Sequence, residues 1–390
     1  MRNPIRKLSG VAAITCALLG ASAAFPQTPK EARDVVEPDI PIALLIDATN
    51  GQILFERNAS RRFVPASITK AMTLYTAFEL LDTGQLNLQK SLTVDPDVWK
   101  QWGGKGSTMF LNANERVALP DILTGIATVS ANDGSAVLAQ QASGSISAWT
   151  AMMNANAREM GMTQSHFGTP NGWPDEGYTF TNARDLATLG AAIFRDHPQK
   201  AARFIGRPNF RYQNITQINH DPIIGQVEGA DGIKTGYTSE AGFGFLGTAK
   251  RGGKRLVMII AGANRSGERN RAARDLIEWG FSAFDHRVLF AQGQTVGEAR
   301  VQSGSSRSLP LVVRDDTGLS VPKGKGRGLV MSIEYDGPLR APIAEGEEVA
   351  RLRLSAPGVQ PASVPLYAGR TITEAGFFDR IINAISGWLT

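Results

Sequence analysis

The chain has 390 residues, too many for one small domain, and suggests roughly two or three folded units. With 42% hydrophobic and 20% charged residues it can build a real core, which sets aside wholesale disorder, a coiled coil and a multi-span membrane protein. One cysteine and four histidines exclude a disulfide scaffold and leave little for a Cys- or His-built metal centre, and the net charge of +5 is only mildly basic.

Residues 1–24 place Arg2, Arg6 and Lys7 before a short apolar run that finishes in small residues around Ala21, Ala23 and Ala24, the pattern of a secretory signal peptide. Cleavage there removes three positive charges and no negative ones, taking +5 to +2, and removes Cys16, the only thiol. Cys16 follows Ile14 and Thr15 rather than a small residue, which argues against lipidation. An exported chain without cysteine is indifferent to an oxidising compartment.

Ile42–Asp47 and Gln52–Arg57 are strand-like runs around Asn50-Gly51, a strong hairpin signal. A helix is expected from about Pro65, with Ala71, Leu74, Phe78 and Leu81 as its apolar stripe. Ser67 and Lys70 then share one face, close enough to hydrogen-bond. Alanine-rich helical stretches follow at 119–142, 148–160 and 182–194, and Ser130-Ala131-Asn132 falls at the junction of two helical runs. Lys234-Thr235-Gly236 opens a strand-like segment, residues 242–249 and 254–263 read as a hairpin, and 269–281 as a closing amphipathic helix. Helices and hairpins thus mix in an α+β domain over residues 25–285. Residues 286–370 turn to Val-, Leu- and Arg-rich strands, a small all-β domain. Over 371–390, Phe377, Phe378, Ile381, Ile382, Ile385, Trp388 and Leu389 recur at helical spacing. Residues 376–389 span about 21 Å as a helix, short of a ~30 Å hydrocarbon core, so the segment cannot cross; it either docks on its own protein or, as its terminal Phe and Trp favour, lies as an amphipathic helix in the membrane interface.

Three short motifs carry the chemistry. A serine hydroxyl is a poor nucleophile until a neighbour takes its proton, and Lys70 can do so for Ser67 only if burial or a nearby cation lowers its pKa. Lys234 is that second cation, and it can also anchor Ser130, whose hydroxyl passes a proton to a leaving amine. Asn132 can orient the lysine and a substrate amide. Thr235 offers a hydroxyl to a substrate carboxylate, Gly236 permits close approach, and the N–H groups of Ser67 and Tyr237 are a natural oxyanion hole. S-x-x-K alone occurs about once by chance in a chain this long, and S-x-N is equally common. Lys-Thr-Gly arises in only about one such chain in ten, and all three in order are far rarer.

The set S-x-x-K, S-x-N and K-T-G is shared by β-lactamases and penicillin-binding proteins. With the opening LLIDATNGQILFERNASRRFVPASITK, the GSTMFL segment, HFGTPNGWPDEGYTFTNARDLATLG and GIKTGYT, the chain resembles the low-molecular-mass penicillin-binding proteins, serine-type D-alanyl-D-alanine carboxypeptidases. The resemblance covers about residues 40–285 through motifs and the remainder through architecture. It implies a penicillin-binding/β-lactamase-like catalytic domain, with an antiparallel sheet and a helical subdomain, that removes the terminal D-alanine of peptidoglycan stem peptides through an acyl-enzyme on Ser67. It implies β-lactam antibiotics as covalent ligands, no cofactor, and a bacterial periplasmic protein peripherally attached to the cytoplasmic membrane. One departure concerns the stretch before Lys-Thr-Gly, where relatives often carry Asn-Arg-Asn and this chain has Asn219-His220-Asp221. His220 is therefore a candidate for the substrate carboxylate or a plain loop histidine.

Competing readings are fewer. No Glu-x-x-x-Asn lies between Asn132 and Lys234, which argues against class A β-lactamase turnover. There is no G-x-S-x-G elbow for a Ser-His-Asp hydrolase, and the basic loop at 323–327 is a solvated surface rather than a nucleic-acid site. A D,D-endopeptidase on cross-links, or a non-catalytic peptidoglycan-binding protein on the same scaffold, shares every motif.

Overall fold

The computed structural model describes residues 35–323, 328–356 and 360–376. The expected signal peptide and terminal amphipathic helix lie outside the described residues. Within them, helix and strand mix in a first unit and an all-β unit follows.

The expected hairpin forms as β1 (Ile42–Asp47) and β2 (Gln52–Arg57). β1 also pairs with β9 (Lys254–Ala263), which continues through β8 (Gly242–Arg251) to β7 (Ala230–Thr238), giving an antiparallel sheet in the order β2-β1-β9-β8-β7. All six residues of β1 are buried, so no polar face is needed and the strand is apolar until Asp47. Its alternation divides two cores. Ile42, Leu44 and Ile46 join one cluster, with Leu74 and Phe78; Ala43 and Leu45 join another, with Leu276 and Ile277. The sheet is thus the middle of three layers, and each layer boundary is sealed by alternate residues of the same strands.

Helices α1 (Lys70–Asp82), α3 (Leu119–Val129), α4 (Asn132–Ser143), α5 (Ile146–Glu159) and α6 (Ala183–Asp196) contribute to the first core, together with the short α2 (Pro96–Trp102) and α7 (Pro198–Phe204). α8 (Ser266–Ser282) covers the other face of the sheet. Two small antiparallel pairs, β3 (Ser91–Thr93) with β4 (Arg116–Ala118) and β5 (Asn209–Tyr212) with β6 (Ile215–Ile218), edge the helical region. The stretch read as helical over 119–142 is two helices, because Ser130 adopts a left-handed conformation with φ 62° and ends α3. For a non-glycine residue this costs about 1 kcal/mol, and it turns the chain so that Asn132 can start α4.

The β unit pairs β10 (Phe284–Phe290) with β13 (Thr317–Pro322). Its larger sheet has the order β14-β16-β17-β12-β11-β15, built from β11 (Thr295–Gln302), β12 (Ser308–Val312), β14 (Val330–Glu334), β15 (Leu339–Arg340), β16 (Glu348–Ser355) and β17 (Ala362–Ala368). A buried polar seam joins it to the first unit. Gln52 meets both main-chain groups of Ser320, donating to its carbonyl at 2.8 Å and accepting its N–H at 2.9 Å. Asn50 donates to the Gly318 carbonyl at 2.8 Å, and Ser320 Oγ donates to Asp47 at 2.6 Å. Side chains of the first hairpin therefore satisfy backbone groups of the second unit, as buried polar groups require. Among the described residues no helix is long and apolar enough to cross a membrane.

Candidate active site

The segment entering α1 is not the regular helix that periodicity predicts. Ala66–Thr69 forms a tight 3-10 turn after Pro65, and Ala66 has φ 49°. This turn carries Ser67 beside the first residue of α1, Lys70. Lys70 Nζ lies 2.9 Å from Ser67 Oγ, so the expected pairing across one face is formed. The same nitrogen donates to Asn132 Oδ1 at 2.8 Å and to the main-chain carbonyl of Asn171 at 2.7 Å.

Lys70 is completely buried. Burial, reinforced by the charge of Lys234 and opposed by Asp133, holds it well below the usual lysine range. A neutral amine has two N–H donors and one lone pair. In that neutral form, with the two carbonyl oxygens taking both donors, the lone pair would be left for the Ser67 hydroxyl. Such an arrangement would let the amine act as a base toward the serine.

β7 lies against the turn. A Cβ on Gly236 would sit 2.5 Å from the Pro65 carbonyl oxygen and 3.0 Å from Ile68, so only glycine lets the strand come this close. The packing brings the Lys234-Thr235-Gly236 motif beside Ser67, mid-strand rather than at its start. Gly172 serves the facing loop in the same way, since a Cβ there would overlap the Ala66 carbonyl at 1.8 Å. Lys234 is buried and pushed down to about 7, first by burial and then by the charge of Arg269, with Asp221 opposing. The expected hydrogen bond from Lys234 to Ser130 is not formed; Nζ donates instead to the Thr235 carbonyl at 3.1 Å. Ser130 is buried at the α3–α4 break, Thr235 is half-buried, and Tyr237 is exposed with its ring 4.2 Å from that of Phe243.

Four residues around the site were not legible from motif reading. The Asn171 carbonyl is a backbone group, which no side-chain pattern encodes. Asp133, one residue past the S-x-N motif, accepts the N–H groups of Met109 at 3.1 Å and Leu111 at 3.2 Å and a very short bond from Thr108, fixing the GSTMFL segment. Asp221 and Arg269 form the electrostatic surroundings of Lys234. Asp221 is itself raised to about 6 by burial, although Ile223 and Ile224 donate backbone N–H groups to it. His220 next to it is exposed.

Residues 31–265 match the family of D-alanyl-D-alanine carboxypeptidases, peptidase family S11, and residues 284–374 match the C-terminal domain of penicillin-binding protein 5. The chain belongs to the D-alanyl-D-alanine carboxypeptidase family. This carboxypeptidase is 30% identical over 341 residues to D-alanyl-D-alanine carboxypeptidase DacA of Haemophilus influenzae, covering 87% of this chain and 86% of that one. It is 30% identical over 347 residues to DacA of Escherichia coli strain K12, covering 88% and 86%. Among solved structures, penicillin binding protein 5 from H. influenzae superposes with a TM-score of 0.73 at 29% identity, over 86% of this chain and 98% of that one. Penicillin-Binding Protein D2 from Listeria monocytogenes in its ampicillin-bound form matches with a TM-score of 0.57 at 26% identity, over 63% and 99%. The enzyme is thus a serine-type D-alanyl-D-alanine carboxypeptidase with a penicillin-binding-protein fold, in which an α+β catalytic domain is followed by an all-β domain.

Proposed function

We propose that this carboxypeptidase removes the terminal D-alanine from peptidoglycan pentapeptide stems through an acyl-enzyme on Ser67. Lys70 takes the Ser67 proton as Oγ attacks the carbonyl of the penultimate D-alanine. The N–H groups of Ser67 and Tyr237 receive the developing oxyanion, a contribution typically of ~3–4 kcal/mol. The C–N bond then breaks, and the departing amine takes a proton from the Lys70 ammonium through the Ser130 hydroxyl. Water, deprotonated by Lys70, hydrolyses the ester and returns the proton to Ser67. Asn132 orients Lys70, while Lys234, Thr235, Gly236, Tyr237 and His220 receive the substrate's carboxylate end. The same attack opens a β-lactam ring and leaves Ser67 acylated. The single observation that supports this reading most is the 2.9 Å approach of Lys70 Nζ to Ser67 Oγ inside a fully buried lysine environment. Free D-alanine released from a monomeric pentapeptide is the expected product. Release only from cross-linked dimers would make it an endopeptidase, and stable penicillin labelling with neither product would make it a binding protein.

The localisation reading is that residues 1–24 direct export to the periplasm, residues 25–285 and 286–370 form the two domains, and residues 371–390 attach the enzyme peripherally to the cytoplasmic membrane. What supports it is sequence pattern, the Phe and Trp residues recurring at helical spacing over 377–388. Truncation after Glu374 should move the enzyme from the membrane to the soluble fraction while penicillin labelling persists. A truncated enzyme that still sediments with membranes would refute the anchor.

A further inference from the structure

The Lys70 amine is aimed by two carbonyl oxygens that belong to separate segments, and neither acceptor is held by its own position alone. Asn132 presents Oδ1 to Lys70 because its Nδ2 donates to the Lys105 carbonyl at 2.9 Å; without that bond the amide is free to turn. Asn171 is braced through Trp173, whose N–H donates to Asn171 Oδ1 at 3.1 Å. The two loops, around Lys105 and around Trp173, meet at one place. Lys105 Nζ lies 4.9 Å from the Trp173 ring centroid and 5.1 Å from that of Trp102. The two indoles stand edge to face at 5.9 Å. The backbone is equally tight there, since a Cβ on Gly106 would come within 2.9 Å of the Trp173 ring and 2.8 Å of Asn132 Nδ2.

We propose that Lys105 is a positioning residue for acylation: its ammonium, seated between Trp102 and Trp173, clasps the loop that orients Asn132 to the loop whose carbonyl holds Lys70. The proposal rests on Ser67 and Lys70 being nucleophile and base. With both acceptors in place the two N–H bonds of the neutral amine are committed and its lone pair faces the Ser67 hydroxyl. When either acceptor swings away, an N–H competes for the Ser67 oxygen and the lone pair turns aside. The cost falls on the rate of proton removal rather than on the encounter with ligand. A cation on two ring faces is the chemistry such a clasp needs, because the ring quadrupole holds charge without neutralising it.

The test is the kinetics of acylation by a fluorescent penicillin, which separates the acylation rate constant from the dissociation constant of the preceding non-covalent complex. Lys105→Met should lower the rate constant about 3- to 30-fold and leave the dissociation constant within about twofold, as loss of a cation–π pair implies. Lys105→Arg, whose guanidinium also stacks on indole, should restore most of the rate. Trp173→Leu carries the same test from the other side, and the double variant should be no slower than the slower single one, since both remove one interaction. Wild-type acylation in Lys105→Met, single effects that multiply in the double variant, or a weakened complex with an unchanged rate constant would each overturn the clasp. Ser67→Ala separates the two levels: labelling that survives it defeats the nucleophile assignment, whereas its loss alongside a wild-type Lys105→Met defeats only the clasp.

Discussion

Ser67→Ala should abolish covalent labelling by fluorescent penicillin and reduce D-alanine release from a pentapeptide by at least about 10⁴-fold, the scale on which loss of a serine nucleophile acts. The reasoning is geometric. Ser67 is half-buried on the 3-10 turn, and its hydroxyl oxygen lies 2.9 Å from Lys70 Nζ. The remaining two contacts of Lys70, to Asn132 and Asn171, do not involve Ser67 and stay in place. The variant should therefore keep its fold and its non-covalent ligand binding, with a thermal midpoint near that of the wild type. Persistent ester formation in a folded Ser67→Ala protein would remove Ser67 from the mechanism.

Lys70→Arg should be nearly as inactive, about 10²–10⁴-fold down in acylation, because a guanidinium cannot lose its proton and so cannot act as base. The pH dependence gives a sharper check. Burial and then Lys234 depress the Lys70 pKa, so the competent neutral amine is present above that depressed value and is lost as pH falls through it. Acylation should therefore rise with pH along a limb lying well below the range of an ordinary lysine. Lys234→Gln removes one of the two depressing causes, so the limb should move to higher pH. Movement to lower pH, or a limb unaffected by the loss of the cation, would show that Lys234 does not govern the base. Lys234 itself is pushed down to about 7, and on the proposed function a substrate carboxylate arriving beside it would favour its charged form again. Burial and Arg269 oppose the Lys234 charge and Asp221 supports it.

Much of this molecule was legible in its residues. The hairpin around Asn50-Gly51 and the strand Lys254–Ala263 have the bounds that alternation and turn chemistry give them. The alanine-rich helices lie within a few residues of their expected limits, and the change of character near His286 coincides with the start of an all-β unit. Local propensity suffices for these because the interactions that define them span only a few residues. The motif trio named Ser67, Lys70, Ser130, Asn132 and Lys234 as candidates, and the structure places Lys70 against Ser67 and Asn132 with Ser130 and Lys234 buried.

Other features were settled only by folding. Periodicity continued the helix back to Pro65, but the chain tightens into a 3-10 turn there, where Gly172 and β7 press against it. The missing side chain of Gly236 reads as room for a ligand, and the packing of Pro65 and Ile68 already requires it. His220 is the residue that departs from the motif and it is exposed, whereas the charge that reaches Lys234 is that of the neighbouring Asp221. The Asn171 carbonyl stands 101 residues from the lysine it holds, and it belongs to the backbone. The sequence by itself determined which chemistry the protein carries, because side-chain type and short spacing are written residue by residue. Only the tertiary structure decided how that chemistry is tuned: the lysine's depressed pKa and the choice of its acceptors arise from burial and contacts between distant segments, and those exist only once the sheet has brought β7, α4 and the 169–173 loop around Ser67.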